Sequence, residues 1–181
     1  MIFSELECKG VYLIKSEKYE DNRGFFTRSW DKIIFEENGI KSSFVQNNIS
    51  FNNTKGTIRG LHYQISPYGE AKLVRCTRGK VYEVFVDIRK NSKTYLKWAG
   101  IELSSDELTS LYVPEGFALG FQTLEDNTEL FYQMSQFYKP EYSRGINWND
   151  EKLKITWPTK MTVISEKDLS LPSLNWVIST N

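Results

Sequence analysis

One histidine, His62, occurs among the 181 residues of this chain. It stands in the run Arg59-Gly60-Leu61-His62-Tyr63-Gln64, and a second basic pair, Lys72 and Arg75, follows on the next strand-like run. Histidine is the side chain whose ordinary pKa lies closest to neutrality, so it suits abstraction of a proton from a weak carbon acid. The arginine fork suits phosphate oxygens, and a fixed ammonium stabilises developing negative charge. Taken alone, each residue has a plainer reading. A strand histidine is ordinarily a hydrogen-bonded core residue, and a strand lysine is ordinarily a surface charge. A single imidazole cannot furnish a His-rich iron, zinc or manganese centre, so no metal is expected. No calcium loop of the D-x-[DN]-x-[DN]-G kind occurs in the sequence.

The elements that must hold these residues are mostly strands. In residues 81–89, Tyr82, Val84, Val86 and Ile88 fall on one face and Val81, Glu83, Phe85, Asp87 and Arg89 on the other. That is the period of a strand. It follows residues 72–77 across Arg78-Gly79-Lys80, which reads as a hairpin. Further strands are expected at residues 11–16, 44–50, 60–64, 96–103, 110–113, 120–123 and 129–137. Turn-forming runs separate them: residues 52–56, Pro114-Glu115-Gly116 and Glu125-Asp126-Asn127. Residues 31–38 form the best helix candidate, opened by Asp31 and closed by Gly39, and residues 104–108 a single turn. Many short strands with few helices predict a mainly β chain, a sandwich or jelly-roll barrel whose interior can hold a small ligand.

Bulk properties set the context. The 23 basic and 23 acidic residues cancel, so nothing points to nucleic acid, and an anionic ligand must be met by a local cluster of cations. An apolar content of 40% is ordinary for a globular chain, and an aromatic content of 14% favours strands and offers faces for stacking a base or sugar. No apolar stretch approaches the roughly 20 residues that span a bilayer, and no secretory leader is recognisable. Cys8 and Cys76 make no disulfide framework. A cytoplasmic, membrane-free protein with a single domain over residues 1–181 is expected.

An ordered set of motifs carries more. Arg23-Gly24-Phe25-Phe26, Gln46-Asn47-Asn48, Arg59-Gly60-Leu61-His62-Tyr63-Gln64, Lys72-Leu73-Val74-Arg75 and Gly79-Lys80-Val81-Tyr82 come first. Val113-Pro114-Glu115-Gly116-Phe117-Ala118, Phe131-Tyr132-Gln133, residues 144–150 (RGINWND) and Ser165-Glu166-Lys167-Asp168 follow. Together they resemble the dTDP-4-dehydrorhamnose 3,5-epimerase family, over nearly the whole chain. The resemblance implies a cupin-like jelly roll, a homodimer and a cofactor-free reaction on a nucleotide-diphosphate 4-keto-6-deoxysugar. In that reaction the protons at C3 and C5, both next to the C4 ketone, leave from one face and return from the other.

The resemblance also assigns roles. His62 becomes the catalytic base, Asp168 its acidic partner, Lys72 the cation facing the C4 oxygen, and Tyr132 the proton donor on the opposite face. Arg59, Gln46 and Asn48 become phosphate contacts, and Tyr138 stacks on the nucleobase. Arg23, Phe26, Arg28 and Leu119 occupy further substrate-binding positions. Two of these depart from the family. Leu119 stands where it usually carries histidine, making the pocket wall more apolar. Arg28 stands where it usually carries glutamate near the nucleobase, which opens GDP or CDP as alternatives to dTDP. Glu83 stands where aspartate is frequent.

Other readings stay open at this point. The enzyme could act at C3, C5 or both, on a hexose or a heptose, in building lipopolysaccharide, capsule or another glycosylated product. A non-catalytic nucleotide-sugar-binding barrel would keep phosphate contacts and lose the acid-base set. A sugar-nucleotide 3,4-ketoisomerase of the same fold would carry different motifs. One feature resists simple alternation: Arg59 and His62 fall on opposite faces of an ideal strand, so Gly60 is expected to mark a bulge or bend, or the strand to start after Arg59.

Overall fold

The alternating pattern of residues 81–89 separates two cores. A computed structural model describes residues 1–41 and 43–175. In it, Val81 and Phe85 point between two sheets, while Val84 and Val86 point to the outer face of one of them. Both faces of this strand are therefore covered.

In chain order the strands are β1 (Ile2–Glu5), β2 (Tyr12–Lys15), β3 (Lys18–Asp21), β4 (Gly24–Thr27), β5 (Gln46–Asn52), β6 (Ile58–Gln64) and β7 (Lys72–Arg78). Then come β8 (Lys80–Asp87), β9 (Trp98–Ser104), β10 (Thr109–Val113), β11 (Phe117–Thr123), β12 (Thr128–Met134) and β13 (Ser143–Gly145). The helices are α1 (Lys32–Glu37) and α2 (Glu166–Leu169), with a 3-10 turn at Pro140–Tyr142. A six-stranded sheet has the order β1-β2-β10-β7-β12-β5, a five-stranded sheet the order β13-β6-β11-β8-β9, and β3-β4 form a separate hairpin. The two large sheets face each other as a cupin-like jelly roll, in agreement with the sequence pattern.

Three apolar clusters hold it together. Val74, Cys76, Leu111 and Leu130 of one sheet meet Val81, Phe85, Leu103 and Phe117 of the other. Phe35 of α1 packs on Leu73 and Tyr112, covering the outside of the six-stranded sheet. Phe35 is fully buried, a contribution of about 1.5–3 kcal/mol. Ile146, Leu153 and Leu174 cover Leu61, Val84 and Ala118 on the outside of the five-stranded sheet. That last layer brings the C-terminal segment against β6.

The expected helix forms as read. Asp31 accepts hydrogen bonds from the N–H groups of Ile33 and Ile34, and Gly39 follows with φ of 70°. Four strands escape sequence reading. β3 and β4 are exposed throughout or nearly so and carry no buried face to produce a signal. β1 buries no residue fully, and β13 has three residues. The strand expected at residues 120–123 begins three residues earlier, because Phe117 already pairs with Asp87 of β8. The strand expected to run to residue 137 ends at Met134. The Gln64 side chain then captures the next segment, donating to Phe137 O and accepting from Lys139 N.

Candidate active site

The site starts from an irregularity in β6. Across its neighbour β11, Leu119 pairs with His62 and Phe121 with Arg59, so three steps on β6 match two on β11. This bulge turns Arg59 and His62 to the same side, and both line a cavity of about 450 Å³ between the sheets. The bulge needs glycine. Gly60 has φ of 110°, and a Cβ there would lie 2.7 Å from Gly120 Cα and 2.8 Å from Leu119 O.

Behind His62 stands the C-terminal segment. Ser165 caps α2 by accepting a hydrogen bond from Asp168 N, and this fixes Asp168 in the first turn. Asp168 Oδ1 lies 2.7 Å from His62 Nε2, and Oδ2 accepts a hydrogen bond of 3.1 Å from Gly60 N. The carboxylate thus holds both the histidine ring and the bulge that aims it. Burial raises the Asp168 carboxyl, but the hydrogen bond and charge of His62 and the Gly60 N–H outweigh it, and the net shift is downward. With Nε2 committed to Asp168, Nδ1 is the ring nitrogen left to act as a base.

The opposite wall comes from the six-stranded sheet. Lys72 and Val74 of β7 and Leu130 and Tyr132 of β12 line the same cavity. Burial, then the charge of Glu70, raises the Tyr132 phenol, so it keeps its proton at neutral pH. Lys72 Nζ lies 2.8 Å from Glu70 Oε1, and both side chains are largely buried. Glu83 of β8 completes this end, buried and beside Lys72. His62 and Tyr132 therefore belong to facing sheets, and a ring lodged between them presents one face to each.

An adjoining cavity of about 300 Å³ shares His62, Lys72 and Tyr132 and adds Gln46, Asn48 and Tyr138. Gln46 and Asn48 share a face of β5, as alternation requires, and Gln46 Nε2 donates to Asn48 Oδ1. Tyr138 lies in the irregular segment after β12, with its N–H on Gln46 Oε1. Arg59 donates through Nε to Asn52 Oδ1 at 2.8 Å, which steers its fork along the cavity edge. Leu119, 8% exposed, forms the wall under His62.

Four residues are not brought in. Arg75 lies three positions from Lys72 on β7, on the side of Leu73, which packs outward toward α1. It does not belong to a basic pair facing the cavity. Arg23 and Phe26 sit on the exposed β3-β4 hairpin, where Arg23 pairs with Asp21. Arg28 Nη1 lies 2.8 Å from Asp31 Oδ2, and Arg28 lines a separate cavity with Glu17, Tyr19 and Phe26. Conversely, Glu70 and Lys167 line the adjoining cavity although sequence reading did not single them out as site residues. Glu70 lies two residues before Lys72, a spacing that in extended chain returns a side chain to the same face. Among the described residues no group of three His, Cys, Asp or Glu side chains is arranged to hold a metal ion.

The sequence profile of dTDP-4-dehydrorhamnose 3,5-epimerase matches residues 5–175. The chain belongs to the dTDP-4-dehydrorhamnose 3,5-epimerase family. It is 45% identical over 165 residues to the dTDP-4-dehydrorhamnose 3,5-epimerase of Shigella flexneri, covering 91% of each chain. Among solved structures, it is similar to the dTDP-4-dehydrorhamnose 3,5-epimerase of Bacillus anthracis with TDP and PPi bound. The TM-score is 0.91, the identity 40%, and 96% of this chain and 100% of that one are covered. It is also similar to the dTDP-6-deoxy-D-glucose-3,5-epimerase of Legionella pneumophila in complex with dTDP-4-keto-L-rhamnose. There the TM-score is 0.93 and the identity 35%, over 99% of this chain and 95% of that one. Membership in this epimerase family makes the chain an isomerase-class carbohydrate epimerase.

Proposed function

We propose that this chain inverts C3 and C5 of a dTDP-linked 4-keto-6-deoxysugar without a cofactor. The observation that carries the reading is the placement of the His62–Asp168 pair and Tyr132 on facing walls of one cavity, with Lys72 between the sheets at its end. His62 Nδ1 takes the proton from the carbon next to the ketone, and the electron pair moves onto the C4 oxygen. The Lys72 ammonium stabilises that oxygen in a partly dry site, where charge is screened far less than in water. Asp168 stabilises the imidazolium, and Tyr132 delivers a proton to the opposite ring face. Water then removes the proton from His62, and Tyr132 regains one.

Arg59, Gln46 and Asn48 meet the diphosphate, Tyr138 stacks on the base, and Leu119 gives an apolar wall beside the sugar. Arg23, Phe26 and Arg28 lie on or just after the hairpin, away from the His62 cavity of their own chain. The hairpin exposes Tyr19, Phe25 and Phe26, and the edge strand β5 exposes Ile49 and Phe51. Exposed aromatic surface and a free sheet edge both suit burial against another copy. The chain thus works as a homodimer in which each hairpin completes the partner's site. The relatives with TDP or a dTDP sugar bound support dTDP as the nucleotide. Whole-chain action as one domain in the cytoplasm fits two free, buried cysteines.

The test offers dTDP-, GDP- and CDP-linked 4-keto-6-deoxysugars in deuterated water. Deuterium at C3 and C5 of the dTDP sugar, lost in His62→Asn, is expected. Tight binding of the dTDP sugar without exchange would leave only a binding barrel. Exchange confined to the GDP sugar would overturn the choice of nucleotide.

A further inference from the structure

Lys72 is flanked by two acidic side chains, and the charges do not balance. Glu70 Oε1 already takes its ammonium at 2.8 Å. Glu83, only 1% exposed, lines the same cavity, and its Oε2 has no hydrogen-bond partner among the described residues. Two buried carboxylates against one ammonium would leave an uncompensated charge, which costs more than retaining a proton. The remaining groups facing Glu83 do not alter the balance. Cys76 lies on β7 and Tyr132 on β12, both neutral. On β6, Arg59 is turned to Asn52 and His62 to Asp168.

We infer that Glu83 is a neutral acid that donates a hydrogen bond from its carboxyl to the bound sugar, at the oxygen facing Lys72. The inference rests on the epimerase reading for the identity of that oxygen. A ketone oxygen only accepts hydrogen bonds, and an enolate accepts them more strongly. An ionised Glu83 would repel the charge that develops there, whereas a protonated one stabilises it alongside Lys72. Burial pushes the Glu83 carboxyl up to about 8, with the Lys72 charge pulling the other way. The glutamate is one methylene longer than aspartate, which extends its reach into the cavity.

The experiment compares Glu83→Gln, Glu83→Leu and the parent protein. Infrared difference spectroscopy of the ligand-free protein at pH 6 and pH 9.5 reads the carboxyl itself. A neutral-carboxyl band present at the lower pH, lost at the higher, and missing in Glu83→Gln is expected. Glu83→Gln keeps a weaker donor, so its turnover falls less than that of Glu83→Leu, and the fall in activity as pH rises through about 8 disappears. Glu83→Leu removes the donor, and turnover falls about 10²–10³-fold. Absence of the band, or a Glu83→Gln variant as impaired as Glu83→Leu, would overturn the proposal. If the parent shows no epimerase activity, the epimerase reading fails, and the infrared band still decides the protonation state of Glu83.

Discussion

His62 Nε2 and Asp168 Oδ1 lie 2.7 Å apart although 106 residues separate them in the chain. The short contact exists because α2 docks on β6, and Asp168 also holds the Gly60 N–H. Asp168→Asn keeps the size and loses the charge that stabilises an imidazolium. Turnover is expected to fall about 10²–10⁴-fold, with KM changed little. A loss of binding with turnover intact would assign Asp168 to substrate holding instead.

The same pair links stability to pH. The Asp168 carboxyl is depressed below its ordinary value of 3.8, so its contribution is complete above that value and is lost as pH falls through the lowered one. Denaturant unfolding at pH 7 and at pH 3 checks this. The stability gap between the parent and Asp168→Asn should narrow on acidification. A gap that widens would contradict the assigned direction.

Gly60→Ala tests the bulge. The added Cβ would meet backbone atoms of Gly120 and Leu119 at a φ of 110°, a strain of order 1–3 kcal/mol. The variant is expected to lose that much stability and to lose phosphate affinity and turnover together, because Arg59 and His62 are both re-aimed. Unchanged kinetics with lower stability would mean that the bulge serves only the fold.

Trans completion of the site predicts complementation. Equal mixtures of His62→Asn and Arg23→Ala, unfolded and refolded together, contain dimers in which one site has an intact His62 and an intact partner hairpin. Activity well above either variant alone is expected. No recovery would mean that the hairpin acts on its own chain or not at all.

Leu119→His places a second imidazole beneath His62. It is expected to change the ratio of deuterium entering C3 and C5 while leaving the protein epimerising. An unaltered ratio would mean that Leu119 is a wall residue without influence on carbon choice.

Much of this was legible before the structure. Strong alternation in β8 and the Asp31 cap located their elements, because each has a buried face or a hydrogen-bonding end that selects residue type. The β3-β4 hairpin was invisible, since exposed strands impose no apolar period. Gly60 signalled a bulge, yet only pairing to β11 reveals that it brings Arg59 and His62 together. The role of Asp168 could not come from composition or spacing, because its contact with His62 is made by docking a distant segment. Glu70 escaped because its significance lies in neutralising Lys72, a relation between side chains that no motif records.

The two-walled acid-base arrangement is tested most directly by locating deuterium in Tyr132→Phe. Incubated with a dTDP-linked 4-keto-6-deoxysugar in deuterated water, this variant keeps the base and lacks the opposite donor. Exchange next to the ketone with little inversion of configuration is the predicted result, and His62→Asn should show neither. Full inversion by Tyr132→Phe would contradict the account, since the second proton would then come from elsewhere.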